Sequence, residues 1–196
     1  MGIFYTKITV KGVKQQNIAD FLKQSKRQAY VSPMVNDCTV VFDKESEDDM
    51  EILCRLGSEL SKVFQCPILA VFVHDGDLFL YWLYKSGELI DEYNSIPDYF
   101  EAETEFSLPK GGDAEKLCET IQVPYALANV RNIFERVIKT ATDDDWSEEH
   151  LIGDEIQDVL TQALNLPPFA VDTGYYSIEN DLLPEDLSKD TLIFCA

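Results

Sequence analysis

Hydrophobic and polar positions change period several times along this chain, and the changes predict its elements. Residues 3–10 alternate as a strand, and Val13, Ile18, Phe21 and Leu22 then repeat at the spacing of a short helix. Lys23, Lys26 and Arg27 close that helix, where positive charge suits the carbonyl end of the dipole. Strands are expected at 28–32 and 38–43, with Pro33 and Asn36-Asp37 turning the chain between them. A long helix follows, with Ser46 as its expected cap and Asp49 three residues later. Met50, Leu53, Cys54, Leu60 and Phe64 form its apolar stripe until Pro67 ends it. Residues 68–73 and 78–84 are apolar on both alternating faces, which predicts interior strands covered on two sides, while 88–93 is more polar. Asp75-Gly76 and Ser86-Gly87 supply the positive φ angles of two-residue hairpin turns.

The order β-α-β-β-α-β over about the first 75 residues resembles the ferredoxin-like split βαβ arrangement. That resemblance implies fold alone, since the topology hosts many unrelated functions. The expected class is α+β, with the ferredoxin-like start extended by a β-hairpin into a mixed or antiparallel sheet. Residues 95–112 carry Pro97, Pro109 and Gly111-Gly112 in an acidic stretch and read as a linker or long surface loop. The chain therefore divides into a sheet domain, 1–108, and an acidic, mostly helical region, 109–196, packed on it as a second domain or as part of the same one. Helices are expected at 113–122, then from Pro124 through Leu127, Val130, Phe134 and Val137. A third is expected from near Ser147 through Leu151, Ile156, Val159, Leu160, Ala163 and Leu164, stopped by Asn165 and Pro167-Pro168. Residues 169–178 are expected to return as a strand.

Charge changes this picture more than length does. The 196 residues hold 16 basic and 36 acidic side chains, a net −20, which opposes phosphate contacts and so excludes nucleic acid and anionic membrane as expected partners. From Thr140 onward 14 acids face Lys189 alone, whereas the first 27 residues hold six bases and only Asp20. The asymmetry points to another protein as partner, a basic one, with homodimerisation through a sheet edge as a related expectation. No apolar run reaches the roughly 18 residues of a membrane span, and the first residues lack the basic head of a secretory signal, so a cytoplasmic location is expected. Five cysteines without a CxxC pair predict neither a disulfide framework nor structural zinc, and no cofactor is expected. Cys54 falls on an apolar stripe; Cys195, next to the end, is expected to be exposed and oxidisable.

Candidate chemistry gathers at two places. His74-Asp75-Gly76-Asp77 sets an imidazole beside carboxylates at the end of a buried strand, a pairing suited to a base or a ligand. Strand alternation points His74 and Asp75 apart, however, and the hairpin turn accounts for Asp75 and Gly76. Residues 93–100 take aromatic groups, an amide and a carboxylate off the sheet together into a loop, where binding groups collect. His74, Asp77, Tyr93, Asn94, Asp98 and Tyr99 are therefore the candidate ligand or partner contacts. The competing account has Tyr93 and Phe100 finishing the core. Asp143-Asp144-Asp145 with Glu148 and Glu149 fails the calcium-loop pattern, since Glu148 stands where glycine is needed, and reads as helix capping. His150 reads as a surface residue and Gly174-Tyr175-Tyr176 as core and rim. The chain has no GxGxxG, Walker, GxSxG, HExxH or kinase pattern. The expectation is a non-enzymatic interaction or regulatory module with an acidic surface. The alternative is a small-molecule-binding or hydrolytic domain with a pocket between the sheet and the C-terminal helices.

Overall fold

The computed structural model describes residues 4–101, 108–142 and 151–196. Asp143-Asp144-Asp145, Ser147 and His150 lie outside the described residues. The first half runs β1 (Tyr5–Lys11), α1 (Gln15–Gln24), β2 (Ala29–Val31), β3 (Cys38–Asp43), α2 (Lys44–Asp48), α3 (Met50–Phe64), β4 (Pro67–His74), β5 (Leu78–Lys85) and β6 (Glu88–Asn94). The second half adds β7 (Lys110–Gly111), α4 (Ala114–Ile121), α5 (Leu127–Thr142), α6 (Gly153–Ala163), α7 (Tyr175–Glu179) and β8 (Ile193–Cys195). The class is α+β. Among the described residues the eight strands form one sheet in the order β7-β6-β5-β4-β1-β3-β2-β8, and every neighbouring pair is antiparallel.

Alternation along the strands feeds two cores. Ile8, Val10, Ile68, Ala70 and Tyr84 face α1 and α3, meeting Leu22, Leu53, Leu56 and Leu60. Leu69, Val71, Phe79 and Tyr81 face the other way, onto Leu117, Val130, Ile156 and Leu160 of α4, α5 and α6. Helices thus cover both faces, which is why β4 and β5 are apolar at consecutive positions. A third cluster, with Val40, Phe42, Phe169, Tyr175 and Ile178, seats the last part of the chain on β3. The two turns behave as the sequence predicts: Asp75 and Gly76 have φ of 54° and 79°, and Ser86 and Gly87 have 54° and 88°.

Four expectations are corrected. The long helix is two helices: Asp43, not Ser46, caps α2 by accepting the Ser46 N–H at 2.9 Å, and Asp49, extended at φ −145°, caps α3 by accepting the Glu51 N–H at 2.8 Å. A side chain that caps a new helix must leave the old one. Residues 169–178 are not a strand, because the buried Glu47 carboxylate accepts the Tyr175 and Tyr176 N–H groups and starts α7 there. The third helix, α6, begins at Gly153, so Leu151, expected on its stripe, precedes it. Cys195 is not exposed: β8 pairs with β2, and its thiol is fully buried 3.6 Å from the Ala19 carbonyl. Both strands supplied by the second half, β7 and β8, lie at the sheet's outer edges.

One polar group sits deep in this scaffold. Lys7 of β1 is only 3% exposed, and its Nζ donates to the Ala170 carbonyl, which also accepts Gln157 Nε2 at 3.1 Å. Burial holds its pKa well below the ordinary lysine value, the nearby Asp172 charge opposing only in part. An amine depressed in this way stabilises the fold at high pH and gives that stability up as pH falls toward its folded pKa. Lys7→Met is therefore expected to raise stability at pH 7 by about 1–2 kcal/mol and to lose the wild-type gain between pH 7 and pH 10. Urea unfolding at the two pH values measures both; a destabilised Lys7→Met protein at pH 7 would count against a burial cost at this amine.

Candidate functional site

The turn end of the β4–β5 hairpin gathers exposed aromatic side chains and carboxylates around His74. His74 ends β4 on the α3-facing side, so its ring lies parallel to that of Phe72, two residues back, at 6.0 Å. β1 pairs with β4 through Tyr5 and Val73, and this register carries Phe4 alongside His74, edge-on at 5.4 Å. The loop after β6 completes the group. Ser95 anchors it, donating its N–H to the Phe79 carbonyl at 3.0 Å while its Oγ accepts the Phe79 N–H at 2.9 Å. Asn94 Oδ1 accepts the Ile96 N–H at 2.9 Å and turns the chain back. Tyr99 and Phe100 then meet the imidazole edge-on at 5.6 and 5.3 Å.

Four rings therefore touch His74, and two of them face water: Phe4 is 40% exposed and Phe100 64%. Carboxylates rim the rings. Asp75 Oδ2 lies 3.5 Å from His74 Nε2 and accepts the Tyr99 hydroxyl at 3.4 Å. Desolvation, with the charges of Asp75 and Asp77, raises the Tyr99 pKa and keeps its phenol a donor. Asp77 and Glu101 are exposed and Asp98 is half-buried. Behind the turn, α6 closes the structure: the Gly153 N–H donates to the Asp77 carbonyl at 2.8 Å and the Asp154 N–H to the Gly76 carbonyl at 3.1 Å. His74 Nδ1 is buried without a hydrogen-bond partner.

The six sequence candidates do not form one site. His74 and Tyr99 meet directly, and Asp77 lies close enough for its charge to act on Tyr99. Asn94 shapes the loop, and the Asp98 carbonyl accepts the Glu101 N–H at 2.9 Å. Tyr93 points to the opposite face, buried and stacked between Tyr81 at 5.7 Å and Phe134 at 4.9 Å. It belongs to the core. Phe100 is exposed rather than part of the core, and Asp75 reaches His74 because it has left strand geometry for the turn. Asp75, accounted for in the sequence by the hairpin turn, and Phe100, accounted for by the core, thus join the patch, and Phe4 joins it with no sign in the sequence beyond its place in a strand. Matches to protein-family models, to curated proteins and to solved structures are all lacking, so only the geometry bears on function.

Other polar groups do not add to this patch. The cavity between the sheet and α6, lined by Lys7, Thr9, Tyr81, Gln157 and Thr161 among others, is about 10 Å³, the room of a single water. None of the six candidates lines it. Among the described residues no group of three or more histidine, cysteine or acidic side chains is placed to hold a metal ion, and no helix is long and apolar enough to cross a membrane. The patch can offer ring faces and carboxylate oxygens to a cation, which rings attract through their quadrupole and carboxylates through charge.

Proposed function

We propose that this protein is a non-enzymatic interaction module that holds a basic segment of another protein on the aromatic, acidic patch around His74. The observation that carries this reading is the exposure of Phe4 and Phe100 beside Asp75, Asp77 and Glu101. A lysine or arginine side chain laid there exchanges water for ring faces while its charge stays near carboxylates. The chain's net charge of −20 draws such a partner in. The scaffold is read as ferredoxin-like, a reading supported by the inner order β4-β1-β3-β2 with α1 and α3 on one face. Five free cysteines suit a reducing compartment such as the cytoplasm.

The test is calorimetric titration with a lysine-rich peptide interrupted by prolines. Phe100→Ala is expected to weaken binding about 3- to 10-fold, and affinity is expected to fall as salt rises from low to molar concentration. Undiminished affinity in Phe100→Ala, or affinity indifferent to salt, rejects the patch.

A further inference from the structure

Four buried polar side chains meet between the sheet and α6, two from each half of the chain. Lys7 and Thr9 stand two apart on β1 and share the face that carries Val71 and Leu69, their partners across the ladder. Gln157 and Thr161 stand four apart on α6 and share one side of that helix. All four are at most 3% exposed, and all four line the cavity of about 10 Å³. The rest of its wall is largely apolar, with Phe79, Leu117, Leu160 and Leu164 buried around it. One atom here has an unmet demand. Gln157 Nε2 donates to the Ala170 carbonyl, which would repel an amide oxygen, so the amide has one orientation and Oε1 turns away from that carbonyl. Among the described residues no group donates to Gln157 Oε1, and a buried acceptor is costly until it is satisfied.

What can satisfy it follows from size and charge. The cavity has the room of one water, and a buried water needs several polar partners. Lys7 Nζ, which gives one N–H to the Ala170 carbonyl, has a further N–H to donate, and the Thr9 and Thr161 hydroxyls can donate or accept. A cation is unsuited, because an amine and no carboxylate lines the cavity. An anion would need the amine to be charged, which its burial opposes. We propose that this cavity is a binding site for one ordered water, held by Gln157 Oε1 and Lys7 Nζ, with the two threonine hydroxyls as further partners. The water then works as a built-in cross-link. It joins β1 to α6 beside the Ala170 carbonyl, to which both Lys7 and Gln157 already donate. Such bonds are directional, so they fix where α6 rests on the sheet more narrowly than packed leucines can. The cavity shares no residue with the His74 patch.

Diffraction from crystals of the full chain, at a resolution that shows ordered water, tests this directly. The expected result is one isolated density peak in the cavity, about 2.7–3.2 Å from Gln157 Oε1 and from Lys7 Nζ or a threonine hydroxyl. Gln157→Leu, close in size and without the acceptor, is expected to lose that peak. Relaxation dispersion of water oxygen-17 in solution makes the same comparison without a lattice, and wild type is expected to hold one more long-lived water than Gln157→Leu. Should Gln157→Leu fail to fold, Gln157→Met, of similar length and unbranched, takes its place, and the wild-type density decides by itself. A cavity without density, a peak whose anomalous signal identifies chloride, a peak that persists in the variant, or equal water counts in the two proteins each overturns the proposal.

Discussion

Gly153→Ala is expected to cost about 3 kcal/mol of folding stability and to loosen the patch around His74 at the same time. A Cβ at this position would sit 2.6 Å from both the Gly76 oxygen and the Asp77 carbonyl carbon, with the Asp77 oxygen at 2.8 Å. These are backbone atoms of a tight turn and cannot rotate aside as a side chain could. In an open helix the same change would help, because alanine is the better helix former by roughly 1 kcal/mol. Here the close approach is required by two hydrogen bonds, Gly153 N–H to the Asp77 carbonyl and Asp154 N–H to the Gly76 carbonyl. Alanine must break both or push α6 off the hairpin, and Ile156 and Leu160 of that helix are core residues. Urea unfolding measures the cost, and faster amide exchange at residues 75–78 reports the loosened turn. A variant within about 0.5 kcal/mol of wild type would mean that α6 does not rest on the turn.

That contact also explains the limits of what could be read from the sequence. Elements built by short-range rules were legible: the two hairpin turns, the doubly apolar β4 and β5, and the stripe of α3 all depend on residues a few positions apart. What failed depends on partners far along the chain. Glu47 gives no local sign that it will start a helix at Tyr175, 128 residues later, so 169–178 read as a strand. β7 and β8 are two and three residues long, too short to show alternation, and only the sheet edges they complete make them strands. The site was half visible for the same reason. His74 and Tyr99 stood out by type and by loop position, but the face to which Tyr93 points follows from its pairing with Tyr81. Phe4 joins His74 only through the β1–β4 register. Asp75 was discounted by strand alternation, a rule that ends where φ turns positive.

Glu47→Gln is expected to leave stability little changed at pH 5 and to raise it by up to about 3 kcal/mol at pH 8. Glu47 is 2% exposed, beneath the first turn of α7 and against Gly174, where an added Cβ would run into its carboxylate. Burial pushes its pKa up to about 7, outweighing the two N–H groups that favour the ionised form, and the neighbouring Asp48 charge adds to the rise. The folded chain therefore holds a proton on Glu47 over a range where the unfolded chain has released it. Its contribution is fully present below the ordinary glutamate pKa and is lost as pH rises through about 7. Glutamine keeps the shape and one oxygen for the Tyr175 N–H, gives up the weaker 3.3 Å bond that the other oxygen accepts from Tyr176, and has no proton to lose, so the gap between variant and wild type should open from pH 5 and level off above about pH 7. Urea unfolding of both proteins across that range gives the gap directly. A gap that does not vary with pH would show that the helix N–H groups, not burial, govern this carboxylate. A gap that opens would make Glu47 the group through which mild alkalinity weakens the seat of α7 on the sheet.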